Sequence, residues 1–238
     1  MAKEEKEQLS CWHVVAQILQ HAPRILLWGP PGTGKTFVAT TQPREAGRRV
    51  YSVSLTPGTP AAVIVGSYMP AGPGKFAWAD GLGTKAWKQG AVLVLNELHR
   101  IDDEMTGALL TYCESPDTAE TTLPTGATIR PAPGFVVIGT MNGNPDELDP
   151  ALRDRFPISI NCDQVHPDAL AALPVDIRYA AEHTALVTDE RRLSVRSWRA
   201  FADLRDACGD AVAAAAIFGK SAGDALDALV LSGAKTPE

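Results

Sequence analysis

The segment GPPGTGKT, residues 29–36, directly follows the apolar run RILLW and fits the spacing G-x-x-x-x-G-K-[ST]. Glycines so placed let the backbone curl until its N–H groups face a phosphate chain, and the helix that follows adds the favourable end of its dipole. Gly29, Pro30, Pro31, Gly32, Thr33 and Gly34 would form the cradle, Lys35 would reach the terminal phosphates, and Thr36 would supply an oxygen to magnesium. Prolines and glycines also make ordinary turns, but here the motif and its strand context agree. A second near-match, FGKSAG at 218–223, has Ala214 where the first glycine is needed and no strand before it, so it reads as a helix break.

The other residues suited to chemistry end the apolar run of AVLVLNELHR, residues 91–100. Asn96 and Glu97 fall at the carboxyl end of a buried strand, where open α/β sheets carry their ligand chemistry. Glu97 can polarise an attacking water. Asn96 offers one carbonyl oxygen to a magnesium-bound water but lacks the negative charge that attracts the ion. Two outcomes stay open: hydrolysis with weaker magnesium affinity, or nucleotide binding with poor hydrolysis. A plain structural strand end, with neither residue functional, is the third. His99, just beyond, reads as a backbone or subunit-facing histidine rather than a catalytic one.

Positioning these groups requires strands. RILLWG, RRVYSVSL, AVLVLN, FVVIGTMN and FPISIN are strand candidates separated by segments long enough for helices, which predicts a mostly parallel sheet with helices on its faces. Before them, LSCWHVVAQILQHA repeats apolar residues at helical spacing from Leu9. From about residue 165 Ala-rich stretches predict three or four helices broken at Pro174, Gly209 and the glycines of 219–223. The domain boundary falls near 163–166.

The chain has 238 residues, 45% hydrophobic and 21% charged, which is a globular composition. A formal charge of −6 argues against nucleic acid as a general partner. The four cysteines are far apart and form no zinc or redox pair. The charged start lacks the apolar core of a signal peptide, and no run approaches the roughly 18 apolar residues of a membrane span, so a cytoplasmic protein without a membrane partner is expected.

Together GPPGTGKT, AVLVLNELHRI, VVIGTMN, DPALRDRF and LSVRSWRAF occur in the order seen in AAA+ ATPases, and the detail resembles the MoxR and dynein-related branch. The stretch from GKFAWADG to LLTYCES is similar to what that branch carries around its metal-site strand. TTLPTGATIRPAPGFVVIGTMN is similar to its β-hairpin insert and the next strand. The resemblance implies an α/β P-loop NTPase module, with a parallel five-stranded sheet flanked by helices, over residues 1–164. A hairpin insert falls near 118–134, and a small all-α lid occupies 165–238.

The resemblance also implies ATP and Mg2+ as cofactors, with Thr36 and Asn96 at the metal. Glu97 then activates water and Asn142 is the first sensor, although an asparagine before Gly143 also suits a turn cap. Arg155 matches the arginine finger that completes a neighbouring subunit's site, with Arg153 as fallback, and Arg196 matches the second sensor on the lid. A finger acting in trans implies a homo-oligomer, a hexameric ring in this branch, working on a protein client or with a von Willebrand factor A-type partner. Phe76 and Trp78, in a segment with Tyr68, Trp87, Lys75, Lys85 and Lys88, are candidates for gripping a client or for burial. The leading expectation is an ATP-driven remodelling machine of the MoxR-like chaperone type. The alternatives are a nucleotide-gated structural ring that hydrolyses weakly because of Asn96, and a nucleic-acid motor or restriction-type translocase. ATP versus GTP is not encoded in these motifs.

Overall fold

A computed structural model describes residues 10–185, 187 and 193–233 of the chain. The chain divides into two compact units, one running to Gly29 and from Lys35 to Asn161, the other holding Pro30–Gly34 and the residues from Cys162 onward. The expected start of the first helix, Leu9, lies outside the described residues.

The first unit opens with α1 (Cys11–Ile18), capped by Ser10, whose side chain accepts from His13 N. Then come β1 (Arg24–Trp28), α2 (Lys35–Glu45), β2 (Val50–Ser54), α3 (Ala62–Val65), β3 (Gly66–Pro70), β4 (Phe76–Asp80), α4 (Leu82–Gln89), β5 (Val92–Asn96), α5 (Asp103–Tyr112), β6 (Thr121–Thr122), β7 (Thr128–Ile129), β8 (Val136–Thr140), α6 (Pro150–Asp154) and β9 (Ile158–Asn161). The five strands anticipated from the apolar runs form one parallel sheet in the order β2-β5-β8-β1-β9. Every residue of β5 and β8 is buried. A parallel sheet covered on both faces needs such unbroken apolar runs rather than alternation.

Leu26, Leu93, Leu95 and Val137 share a core with Trp87, Tyr112, Phe135 and Phe156. Trp87 is fully buried and packs against Tyr112 with ring centroids 4.7 Å apart and planes inclined by 50°, so this aromatic is a core residue.

Two antiparallel hairpins leave the sheet, β3–β4 and β6–β7. The second lies within the 118–134 stretch; the first was not anticipated as a hairpin. Its base is tight: a Cβ at Gly81 would stand 2.4 Å from the Ile64 carbonyl oxygen, so only glycine fits there. Its faces are open, with Phe76 67%, Met69 52% and Tyr68 50% exposed. Trp78 is half-buried, donates its Nε1 to Asp80 at 2.8 Å, and meets Tyr68 edge-on.

The second unit contains α7 (Pro167–Ala171), α8 (Val175–Ala185), α9 (Val195–Cys208), α10 (Asp210–Phe218) and α11 (Ala222–Gly233). This is one helix more among the described residues than the three or four expected. The extra one is short α7, which starts at Pro167 and is separated from α8 by Pro174. Trp198, Phe201 and Phe218 form the aromatic centre, with centroids 4.8–5.6 Å apart. The buried Trp198 Nε1 donates to Thr184 Oγ1 at 2.8 Å, which avoids leaving a buried donor unmet. The FGKSAG segment is a short turn between α10 and α11, not a phosphate loop. Among the described residues, no helix is long and apolar enough to cross a membrane.

Candidate functional site

The sheet register decides which residues share an edge. Leu27 of β1 pairs with Thr140 of β8, and Thr140 pairs with Asn96 of β5. The loop leaving β1, the turn leaving β8 and the turn leaving β5 therefore emerge side by side at the carboxyl edge.

In the loop after β1, Gly29, Gly32 and Gly34 have φ of 125°, 78° and 111°, backbone conformations that side-chain-bearing residues avoid. Thr33 Oγ1 donates to the Pro30 carbonyl at 3.2 Å. Lys35 is 6% exposed, and its Nζ donates to the Gly29 carbonyl at 2.9 Å. The ammonium is thus folded onto the first residue of the loop. Thr36 is exposed on the first turn of α2. Within the second unit, Thr33 O accepts from His166 N at 2.9 Å, and a Cβ on Gly32 would lie 3.1 Å from the Ser194 Cβ.

Glu97 has φ 60° and ψ 41°, the sole positive φ outside glycine among the described residues. A bulky residue in the left-handed region costs about 1–3 kcal/mol and persists where surrounding structure enforces it. Here the chain turns sharply from β5 into a short 3-10 helix, Leu98–Arg100. The carboxylate is loosely held. Asn142 Nδ2 and Arg100 Nε each lie 3.4 Å from Oε2, and His99 Nε2 lies 3.7 Å away. These separations are long for strong hydrogen bonds. The His99 Nδ1 is buried without a hydrogen-bond partner. Arg100 was not picked out from sequence, and its position three residues after Glu97 was the available clue.

Asn96 contrasts with its neighbour. It is 4% exposed, and its Nδ2 donates to Ser52 Oγ at 3.0 Å and to the Val53 carbonyl at 3.3 Å. Its Oδ1 accepts from Thr140 Oγ1 at 3.0 Å. A backbone carbonyl can only accept, so the Val53 contact fixes which end of the amide is nitrogen. All three bonds run within the sheet, from β5 to β2 and β8.

Magnesium favours oxygen ligands and is commonly held by substrate phosphates with one or two protein groups. The exposed Thr36 hydroxyl and the part-exposed Glu97 carboxylate suit that chemistry. The Asn96 amide brings no charge, and both its N–H groups are committed to the sheet. No cluster of three or more His, Cys, Asp or Glu suited to a metal occurs among the described residues.

The arginines occupy different settings. Asp149 caps α6 by accepting from Ala151 N and Leu152 N, and Pro150 opens the helix, so Arg155 is set at its C-terminal end. Arg155 Nη2 lies 2.8 Å from Glu114 Oε2 and its side chain is 28% exposed. Arg153 is more exposed and pairs with Asp146. Arg196 is exposed on the first turn of α9, behind the Ser194 cap. A cation there opposes the helix dipole, so helix stability does not explain its placement. Glu97, Asn96 and Asn142 thus meet at one edge, while Arg155 is paired with Glu114 and Arg153 with Asp146.

The family model described as AAA domain (dynein-related subfamily) matches residues 24–156. Protein NorQ of Paracoccus denitrificans (strain Pd 1222) is 32% identical over 139 residues, covering 56% of this chain and 50% of NorQ. Denitrification regulatory protein NirQ of Stutzerimonas stutzeri is 27% identical over 145 residues, covering 59% of this chain and 52% of NirQ. The chain spans about half the length of these curated relatives. Among solved structures, the Thermotoga maritima RuvB Holliday junction branch migration motor has a TM-score of 0.50 at 19% identity, covering 91% of this chain and 67% of that one, which supports the fold alone.

Proposed function

The chain belongs to the dynein-related subfamily of AAA domains, and from that premise we propose that it is an ATP-hydrolysing subunit of a homo-oligomeric, hexameric ring that remodels or activates a protein partner. The observation that carries this reading is Glu97, held in a strained backbone conformation at the carboxyl edge, loosely paired, with Asn142 beside it.

In this reading Lys35 exchanges the Gly29 carbonyl for the terminal phosphates, and the backbone N–H groups of the non-proline residues of the loop, Gly32, Thr33 and Gly34 among them, cradle the phosphate chain. Magnesium, when bound with ATP, neutralises developing phosphate charge, with Thr36 as its protein ligand. Glu97 polarises the attacking water and receives its proton, and Asn142 orients that water. Asn96 tunes the metal position only as a neutral acceptor. Arg155 reaches the nucleotide of a neighbouring copy, and Arg196 reports the terminal phosphate to the lid, which we assign to residues 165–238. We take the partner to be a protein client, or one of the von Willebrand factor A type that the family resemblance implies, and the formal charge of −6 speaks against nucleic acid.

The committed Asn96 amide favours a second reading, a ring held together by nucleotide that hydrolyses slowly. Binding of a fluorescent ATP analogue and ATP turnover, both followed over a dilution series, separate the two. The motor reading expects turnover per subunit to fall on dilution while binding persists. Binding and assembly without turnover at any concentration would support the held ring. GTP competition in the same assay settles the base preference, and added DNA that leaves turnover unchanged is expected for a protein-directed machine.

A further inference from the structure

The corner after α6 contains a carboxylate that no part of the site described above uses. Glu114 follows α5, and its Oε1 accepts from Ser115 N at 2.7 Å, which fixes the carboxylate in place. Its Oε2 lies 2.8 Å from Arg155 Nη2. Both groups line a recess of about 240 Å³ with Leu110, Thr111, Thr118 and Glu120. Glu120 is paired with Arg130, so Glu114 is the carboxylate left to meet Arg155. Cys113, next in line, is fully buried and its thiol is pushed up to about 12 by that burial, so it stays uncharged and does not compete for the guanidinium.

The guanidinium is therefore anchored from one side. Nε is buried without a hydrogen-bond partner. Nη1 has only the Asp154 carboxylate, 84% exposed and 3.8 Å away, beyond hydrogen-bond reach. A long arginine side chain gives up rotamer freedom when its guanidinium is held in one place. Fixing one edge of the fork on a carboxylate that is itself fixed removes much of that freedom in advance. The Nη1 N–H groups then remain for an anionic acceptor such as a phosphate oxygen.

We propose that Glu114 is a positioning residue for Arg155, holding the guanidinium so that its uncommitted edge meets the phosphate chain bound by a neighbouring copy of this chain. This rests on Arg155 acting in trans as proposed above. Glu114 itself touches no nucleotide. Its loss lowers turnover at the neighbour's site and leaves its own subunit's nucleotide binding intact.

The test measures steady-state ATP turnover and fluorescent-nucleotide binding for Glu114→Gln, Glu114→Ala, Arg155→Ala and Glu97→Gln, each alone and mixed in equal parts with Glu97→Gln. The isosteric Glu114→Gln keeps the measurement decisive should Glu114→Ala fold poorly. Outer partners that orient a metal ligand are worth about 10–100-fold; with a comparable weight for a partner that orients a guanidinium, Glu114→Gln alone should lose about that much in kcat, with KM and nucleotide affinity within about 3-fold of the unmodified chain. Mixing it with Glu97→Gln, which keeps an intact finger, should restore turnover, as should mixing Arg155→Ala with Glu97→Gln. Wild-type or faster turnover in Glu114→Gln would overturn the proposal, because Glu114 would then be idle or restraining. Restoration of Arg155→Ala but not of Glu114→Gln would overturn it while leaving the trans finger standing. Failure of the Arg155→Ala mixture would remove the trans finger and this proposal together.

Discussion

The end of β5 and the corner behind α6 handle polar groups in opposite ways. At the end of β5, the two N–H groups and the carbonyl of the Asn96 amide are all bonded inside the sheet, and the residue is almost wholly buried. At the corner, Arg155 has one close partner, one distant exposed partner and one buried N–H without any. Buried polar groups are normally satisfied, and each exception calls for an explanation. An amide bonded this fully serves the fold first, with one carbonyl lone pair to spare, whereas Arg155 Nη1, with no partner in hydrogen-bond reach, is left for a group outside the protomer. Glu97 shows the same distinction one residue away from Asn96: a strained backbone and contacts of 3.4–3.7 Å, where two of its neighbour's three bonds are 3.0 Å.

Substitutions at the two places should differ accordingly, and the largest effect belongs to the corner. Arginine fingers are worth about 10³–10⁵ in kcat, so Arg155→Ala should abolish measurable turnover while a fluorescent ATP analogue still binds. Arg153→Ala, whose side chain pairs with Asp146, should stay within a few-fold of the unmodified chain. Equal losses in both would erase the distinction between them. Next is Glu97→Gln, for which loss of a general base predicts a drop of about 10²–10⁴ in kcat with nucleotide affinity retained; single-turnover quench measurements check it.

Asn96→Asp should act on stability instead. Its new carboxylate oxygen would face the Val53 carbonyl where an N–H now donates, and an unsatisfied buried polar contact costs about 1–3 kcal/mol. Urea unfolding should show that loss, and a variant as stable as the original would mean that the amide is not a clasp. The smallest effect lies in the helical unit. Burial lowers the His166 pKa, opposed by Asp168, and its neutral Nδ1 accepts from Asp168 N at 3.2 Å to cap α7. A depressed histidine contributes stability that is fully present above its unfolded value, about 6.5, and is lost as pH falls through the lower folded value. Unfolding midpoints should therefore decline as pH drops from 7.5 toward 5, and His166→Asn should flatten that decline.

Much of the fold was readable because buried parallel strands are written as continuous apolar runs. RILLW, VLVLN and VVIGT each became a sheet strand. Strand order was not readable from such runs, since it depends on crossovers between them. The β3–β4 hairpin was missed because both its faces are largely open and its residues alternate weakly, although the PAGPGK segment between its strands carries a turn signal. The phosphate loop was legible because its spacing is local. The partners that explain Asn96 and Arg155 were not. Ser52 lies 44 residues before Asn96 and is brought beside it only by strand register, and Glu114 meets Arg155 only where the chain folds back after α6. The aromatic question also needed three dimensions: Trp87 is core, Phe76 is exposed and Trp78 lies between.

In the proposed mechanism Glu97 drives hydrolysis while Asn96 serves the sheet. Steady-state ATP turnover against magnesium concentration, for the unmodified chain, Asn96→Asp and Glu97→Gln side by side, tests it most directly. Turnover is expected in the unmodified chain, none in Glu97→Gln, and no gain in Asn96→Asp at saturating magnesium. An unmodified chain as inert as Glu97→Gln, with turnover appearing only in Asn96→Asp, would contradict it and show a ring that nucleotide holds but does not drive.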